Sequence, residues 1–377
     1  MALQHVYLVP GFFGFTSLGS LNYFLGVREL LDERLRALGV EAEIHETDTL
    51  PTGSIRHRAV RLLERIERER SFIGDTGIHF VGHSTGGLDA RLLVTPGVRL
   101  VKTEIEDEIC HHVRSVQSLS TPHHGTPLAS FFTTLQGRNL LYLLTLLATT
   151  GPGRLGMTAT AQYLALVARL DDFLGHTDTL LDLMSERLLR SISAERGHQL
   201  WEFMNEVSKD QGAVIQLTPE SVDLFNAAVT DREGVRYVSH VSASPPPLTR
   251  LRLKSFNNLY APLALALYAL VYKITSREHR SYPYPALSEA AHGVLASRLT
   301  FEVTPASNDA IVPALSQVWG EIGQVVEGDH LDVVGQYDRV WQGSRSPGWL
   351  KSGAGFGDAE METLWDSIAR VIAESSN

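Results

Sequence analysis

The sequence predicts an α/β protein: a mostly parallel, doubly wound sheet interrupted by a large helical insertion. Two observations predict it. Up to about residue 125, short apolar runs alternate with amphipathic helical patterns, the rhythm of βαβ units. From there to residue 297 the alternation stops, and strand signals return only at the C-terminal end. Element by element, the run His5 to Val9 is the first strand, and Ile78 to Val81 and Val113 to Leu119 follow. Uninterrupted apolar stretches such as Val6 to Val9 suit strands buried on both faces. A fourth, Val40 to His45, is weaker because it carries glutamates. Between them, Val27 to Leu38 places Leu30, Leu31, Leu35 and Leu38 on one helical face. Ile55 to Ile66 does the same with Val60, Leu62, Leu63 and Ile66 among arginines and glutamates. Residues 128–297 read as helices with loops. Strands are expected again at Leu299 to Thr304 and Ile322 to Val326, and a last helix has Leu364, Ile368, Val371 and Ile372 on one side. The expected organisation is a core of residues 1–127 and 298–377 around an insertion of 128–297.

Composition narrows the function classes. The 377 residues carry a formal net charge of −10, the wrong sign for a phosphate backbone, so nucleic acid is not an expected partner. One cysteine, Cys110, forms no intramolecular disulfide and no cysteine metal site. The greasiest stretches, Leu140 to Ala148 and Leu259 to Tyr272, are shorter than the roughly 20 residues of a membrane-spanning helix. No basic leader precedes the first apolar run, so the sequence as it stands reads as cytoplasmic; a leader upstream of Met1 would make it secreted.

The strongest chemical signal is Gly82-His83-Ser84-Thr85-Gly86-Gly87, between a predicted strand and a predicted helix. G-x-S-x-G in that context is a nucleophile elbow, which lifts a serine hydroxyl out of the sheet. The alternative is an ordinary glycine-rich turn. The elbow aims the Thr85 N–H and a helix N-terminus at an incoming oxyanion. A serine nucleophile needs a base oriented by an acid. Ser307-Asn308-Asp309 and Gly328-Asp329-His330-Leu331-Asp332 each follow a predicted strand, where open α/β sheets carry their functional loops. Ser84, Asp309 and His330 are therefore the expected triad, with Asp329 and Asp332 as rival acids. Of the fifteen histidines, His5 and His79 fall in strands and read as packed. His45, His57, His176, His198, His240, His279 and His292 read as surface or capping residues. The pairs His111-His112 and His123-His124 are poor metal sites, since adjacent side chains in a strand point apart. The first loop, Val9-Pro10-Gly11-Phe12-Phe13-Gly14-Phe15, offers a second oxyanion donor: Gly11 lets the chain turn, so Phe12 presents its amide. Its plainer reading is a β-to-helix turn with core phenylalanines.

These segments, with Ser120-Thr-Pro-His-His-Gly-Thr-Pro127, Asn308-Asp-Ala-Ile-Val-Pro313 and Asp329-His-Leu-Asp-Val-Val-Gly-Gln336, resemble the α/β-hydrolase fold. In particular they resemble the bacterial triacylglycerol lipases of the Pseudomonas and Burkholderia type. The matches span residues 6–340, mainly in the sheet. The family's first loop usually reads His-Gly where this chain has Pro10-Gly11, and its secretory signal is missing here. The resemblance implies a serine carboxylester hydrolase, above all a lipase acting on acylglycerols, with no cofactor for the chemistry. It also implies a structural calcium held by Asp332 and by the backbone carbonyls of Gln336 and Val340, with Glu289 the nearest acid for the family's other ligand. Asp332 read alone is a helix cap. The apolar insertion segments are expected to be either packing or a lid that opens against lipid. The same triad would serve a short-chain esterase, polyester depolymerase, thioesterase or acyltransferase, and a non-catalytic hydrolase-fold binding protein is the reading from another class.

Overall fold

The computed structural model describes residues 3–12, 17–18, 21–69, 76–101, 103–134, 210, 212–247, 260–341, 343–346, 348, 350 and 352–376. The strands are β1 (Gln4–Val9), β2 (Ser17–Leu18), β3 (Leu21–Asn22), β4 (Ala42–Glu46), β5 (Gly77–His83), β6 (Val113–Leu119), β7 (Arg236–Ala243), β8 (Glu321–Glu327), β9 (Arg339–Trp341) and β10 (Ser344–Ser346). The helices are α1 (Val27–Ala37), α2 (Ile55–Glu69), α3 (Thr85–Val94), α4 (Thr103–His112), α5 (Pro127–Phe132), α6 (Gly212–Gln216), α7 (Pro219–Ala228), α8 (Tyr260–Thr275), α9 (Glu289–Arg298) and α10 (Asp358–Ser375).

Six strands form one sheet in the order β4-β1-β5-β6-β7-β8, and every pair in it is parallel. Strand alternation sorts side chains onto two faces. Val6 and Leu8 of β1 join the core made with α1 and α10, where Leu31, Leu35, Trp365 and Ile368 are fully enclosed. Tyr7 and Val9 point the other way, into a core built with α2, α3 and α4. This is the doubly wound arrangement the apolar runs predicted. The chain winds from β1 to β4 and then returns past β1 to β5, so the strand order reverses beside β1. Ligands in open α/β sheets bind at the carboxyl ends of strands at such a reversal.

Two element predictions need correction. Arg236–Ala243, inside the stretch read as a helical insertion, is β7, the strand between β6 and β8. Its polar Ser239, His240 and Ser242 hid it, yet all three are buried and hydrogen-bonded to neighbouring strands and loops. Leu299 to Thr304 forms no strand. Leu299 and Val303 bury against β7 and β8 without entering a ladder. Of the greasy insertion segments, Leu140 to Ala148 lies outside the described residues. The other becomes α8, whose Leu267, Tyr268 and Val271 pack with Leu128 and Phe132 of α5. Among the described residues no helix is long and apolar enough to cross a membrane.

Candidate active site

Ser84 sits between β5 and α3 at φ 54° and ψ −126°, a left-handed conformation rare for a residue with a side chain. Such strain costs about 1–3 kcal/mol and persists only where packing over-determines it. The glycines supply that packing. A Cβ on Gly82 would lie 2.5 Å from the Gly86 carbonyl carbon, and one on Gly86 would lie 2.3 Å from the Val9 carbonyl oxygen. A Cβ on Gly11 would lie 2.5 Å from the Ser84 Cβ, so the first loop runs directly against the serine. Thr85 is the first residue of α3, so its backbone N–H has no acceptor in the helix.

His330 follows β8, and its Nδ1–H donates to Asp309 Oδ2 at 2.8 Å. Asp309 is fully buried, and four more donors converge on its carboxylate. Oδ1 accepts the Ile311 and Val312 amides at 2.9 and 2.7 Å, an Asx-turn that folds the loop around its own side chain. Oδ2 accepts the Ser242 hydroxyl at 2.9 Å and the Gln317 amide at 3.2 Å. With Nδ1 protonated toward Asp309, neutral His330 carries its lone pair on Nε2. The two rival acids are placed elsewhere. Asp329 accepts the Leu331 amide, and burial, reinforced by the Asp309 charge, pushes its carboxyl up to about 7. Asp332 accepts the Asp329 amide at 2.8 Å.

A second set of contacts, centred on residues that the sequence reading left without a role, fixes the backbone around these groups. The Gly11 N–H donates to the Tyr23 hydroxyl at 2.8 Å, and Tyr23 donates to His83 Nδ1 at 2.7 Å. His83 Nε2–H then donates to the His330 carbonyl at 2.8 Å. The chain of donors assigns the His83 tautomer. Burial, then the neighbouring His330, holds the His83 imidazole well below its ordinary pKa, so it stays neutral. From the other side, fully buried Arg58 donates to the Pro10 and Gly11 carbonyls at 2.7 and 3.1 Å and pairs with Asp89 at 2.9 Å. In a planar trans peptide, N–H and C=O point in opposite directions. Turning the Gly11 carbonyl toward Arg58 therefore turns the Phe12 N–H away from it.

Ser84, His330 and Phe12 line one cavity. Leu128, Phe132, Val214 and Leu217 make its apolar walls. Phe13 and Phe15 of the first loop lie outside the described residues. The histidine pairs behave as packing groups. His123 is buried between Arg91 and Ser118 at 3.1 and 2.8 Å and stacks on Trp319, and His112 contacts the Thr76 carbonyl. His240, expected at the surface, is buried in β7 against Gln117. In the loop assigned to calcium, the Gln336 side chain donates to the Asn22 and Tyr23 carbonyls, Val340 lies in β9 with an exposed side chain, and Glu289 is exposed in the first turn of α9. The oxygen donors suit a hard cation, and the Asp332 carboxylate is buried in the same loop.

No known family profile matches the chain. Over 156 residues it is 30% identical to a triacylglycerol lipase of Pseudomonas fragi, covering 41% of this chain and 42% of that protein. Over 124 residues it is 27% identical to a triacylglycerol lipase of Vibrio cholerae, covering 33% and 34%. The chain thus spans well under half the length of the relatives it matches. Among solved structures it aligns with EstA of Clostridium botulinum at a TM-score of 0.55 and 18% identity, covering 99% of this chain and 88% of that one. It aligns with Staphylococcus hyicus lipase at 0.54 and 15%, covering 99% and 96%. At such identities the superpositions speak for fold alone. By topology and by these superpositions the chain is an α/β-hydrolase in fold, and in sequence it is similar to bacterial triacylglycerol lipases.

Proposed function

We propose that the protein is a serine carboxylester hydrolase, a lipase acting on acylglycerol esters. The observation that carries this reading is the strained Ser84 sharing an apolar cavity with a histidine already oriented by a buried aspartate. In the proposed cycle His330 Nε2 takes the Ser84 proton as the hydroxyl attacks the ester carbonyl, and Asp309 stabilises the imidazolium. The Phe12 and Thr85 amides receive the tetrahedral oxyanion, a contribution of order 10²–10³ in rate per donor. His330 protonates the departing alcohol, and water, activated by the same base, frees the acid from Ser84. Walls of Leu128, Phe132, Val214 and Leu217 favour an acyl chain over a charged or sugar group. α8 packs on α5 behind these walls, and the other apolar insertion segment, Leu140 to Ala148, lies outside the described residues.

The test is hydrolysis of p-nitrophenyl esters from acetate to palmitate. Wild type should peak at long acyl chains, and Ser84→Ala should lose about 10⁵–10⁶ in kcat. A peak at two to four carbons would keep the mechanism and make the protein a short-chain esterase. An unlabelled Ser84 after fluorophosphonate treatment would leave only the binding-protein reading.

We also propose calcium as a stabilising ion of the loop after β8, through the Asp332 carboxylate and the Gln336 and Val340 carbonyls. No chemical step runs through it. Calcium added to metal-depleted protein should raise Tm by a few degrees in wild type and not in Asp332→Asn. An equal rise in both, or none in wild type, removes the ion from this loop.

A further inference from the structure

A second cluster lies on the sheet away from the cavity. Strands β1 and β4 pair in parallel with His5 opposite Glu43 and Tyr7 opposite His45. All four side chains therefore share one face of the sheet, near the N-terminal half of β1. His5 Nδ1 lies 3.0 Å from His45 Nε2, and Glu43 Oε2 lies 3.6 Å from the first and 3.8 Å from the second.

We propose that His5, Glu43 and His45 form a binding site for a divalent transition-metal ion, zinc by preference. The three donor atoms define a circle whose centre is about 2.0 Å from each of them, the zinc–nitrogen and zinc–oxygen bond length. An ion at or just above that centre would lie at bonding distance from all three. Two imidazole nitrogens and one carboxylate suit zinc better than the harder calcium or magnesium.

The proton inventory favours an ion over a plain hydrogen bond. His45 Nδ1 faces Glu69 Oε2 at 3.2 Å, outside hydrogen-bond geometry, and with the proton on that nitrogen Nε2 presents a lone pair. Glu43 Oε2 is a second acceptor facing the same point, and His5 has one proton at most to offer on that side. Two acceptors face one donor, whereas a cation satisfies all three atoms. His5 Nε2 is buried without a partner, so nothing on its far side fixes the tautomer. Glu69 on the far nitrogen of His45 is the outer carboxylate that commonly orients a metal-bound histidine. Arg65 holds Glu69 at 2.7 Å, and Tyr7 stacks on the His45 ring at 4.7 Å. The ligands come from two adjacent strands, one of them the sheet's edge, so the ion would pin β4 to β1. It would act on stability and leave ester hydrolysis alone, and the site stands whether or not the proposed hydrolase activity does.

The experiment titrates cobalt(II) into metal-depleted full-length protein, follows the visible d–d absorption, and then displaces cobalt with zinc. Wild type should take up one equivalent at this site, and zinc at 100-fold excess over its Kd should raise Tm by about 3 °C. Glu43→Gln, at an exposed position that leaves the core intact, and His45→Asn should abolish both signals. Glu69→Gln should weaken binding about 10-fold or more. Absence of the cobalt spectrum in wild type, or undiminished affinity in Glu43→Gln, overturns the proposal. If His45→Asn does not fold, Glu43→Gln alone decides.

Discussion

Asp329 ties the protein's stability to pH. Its carboxyl is buried one residue before His330, and burial with the Asp309 charge raises it to about 7. Between the unfolded value near 3.9 and about 7, the folded protein holds this proton and the unfolded chain has released it. The group's contribution to stability is therefore fully present below pH 4 and is lost as pH rises toward 7. Asp329→Asn keeps an acceptor for the Leu331 amide and removes the titration. Its stability relative to wild type should rise across that window, by a few kcal/mol at most, in denaturant melts taken at pH 4.5 and 8. At this scale much of the site was legible. G-x-S-x-G and its glycines mark Ser84, and spacing after strands marks Asp309 and His330. The supporting groups were not. Tyr23 and Ser242 carry no motif, and His83 occupies the unspecified position of one. Their contacts join segments up to 247 positions apart, which no local pattern records.

At the scale of elements, α2 carries both core and site. Its buried stripe of Ile55, Ala59, Leu62 and Ile66 includes Arg58, a charge at a core position. That misplaced arginine was the one readable hint, since an enclosed charge demands partners. Arg58→Met should lower stability by about 3–5 kcal/mol by leaving Asp89 buried and unpaired. The double variant Arg58→Met/Asp89→Leu should recover most of that in thermal melts. Its kcat on a p-nitrophenyl ester should stay about 10-fold or more below wild type, because the Gly11 carbonyl has lost its anchor. Recovery of both would reduce Arg58 to a stability role. Elements dominated by apolar residues were read within a few residues of their bounds. The unread β7 is polar because its side chains serve the loops around it: Ser242 holds Asp309, and Ser239 donates to the Trp319 carbonyl. The unrealised strand before Asp309 is apolar for packing alone.

For the whole molecule, the candidate site is drawn from residues 11 to 330 and rests on a sheet whose α1 face is closed by α10. Trp365 is completely enclosed there and donates to the Val333 carbonyl at 3.1 Å, three residues beyond His330. Gln117 of β6 reaches the Ile368 carbonyl on the same helix. Removing Asp358–Ser375 would strip the apolar cover from β1, β5 and β6, so the truncated chain should be insoluble or lack a cooperative thermal transition. A soluble, cooperatively melting truncation would show the sheet to be self-sufficient. Fold class was legible at this scale because strand and helix periods are local, whereas the boundary of the insertion was not, since β7 re-enters the sheet from within it. This late closure also bears on synthesis. A chain still threaded through the ribosome has its serine and first loop outside long before its histidine, and its covering helix comes after both. The candidate site can assemble only once Asp309, His330 and the covering helix have left the exit tunnel, so a shorter nascent chain holds Ser84 without its base.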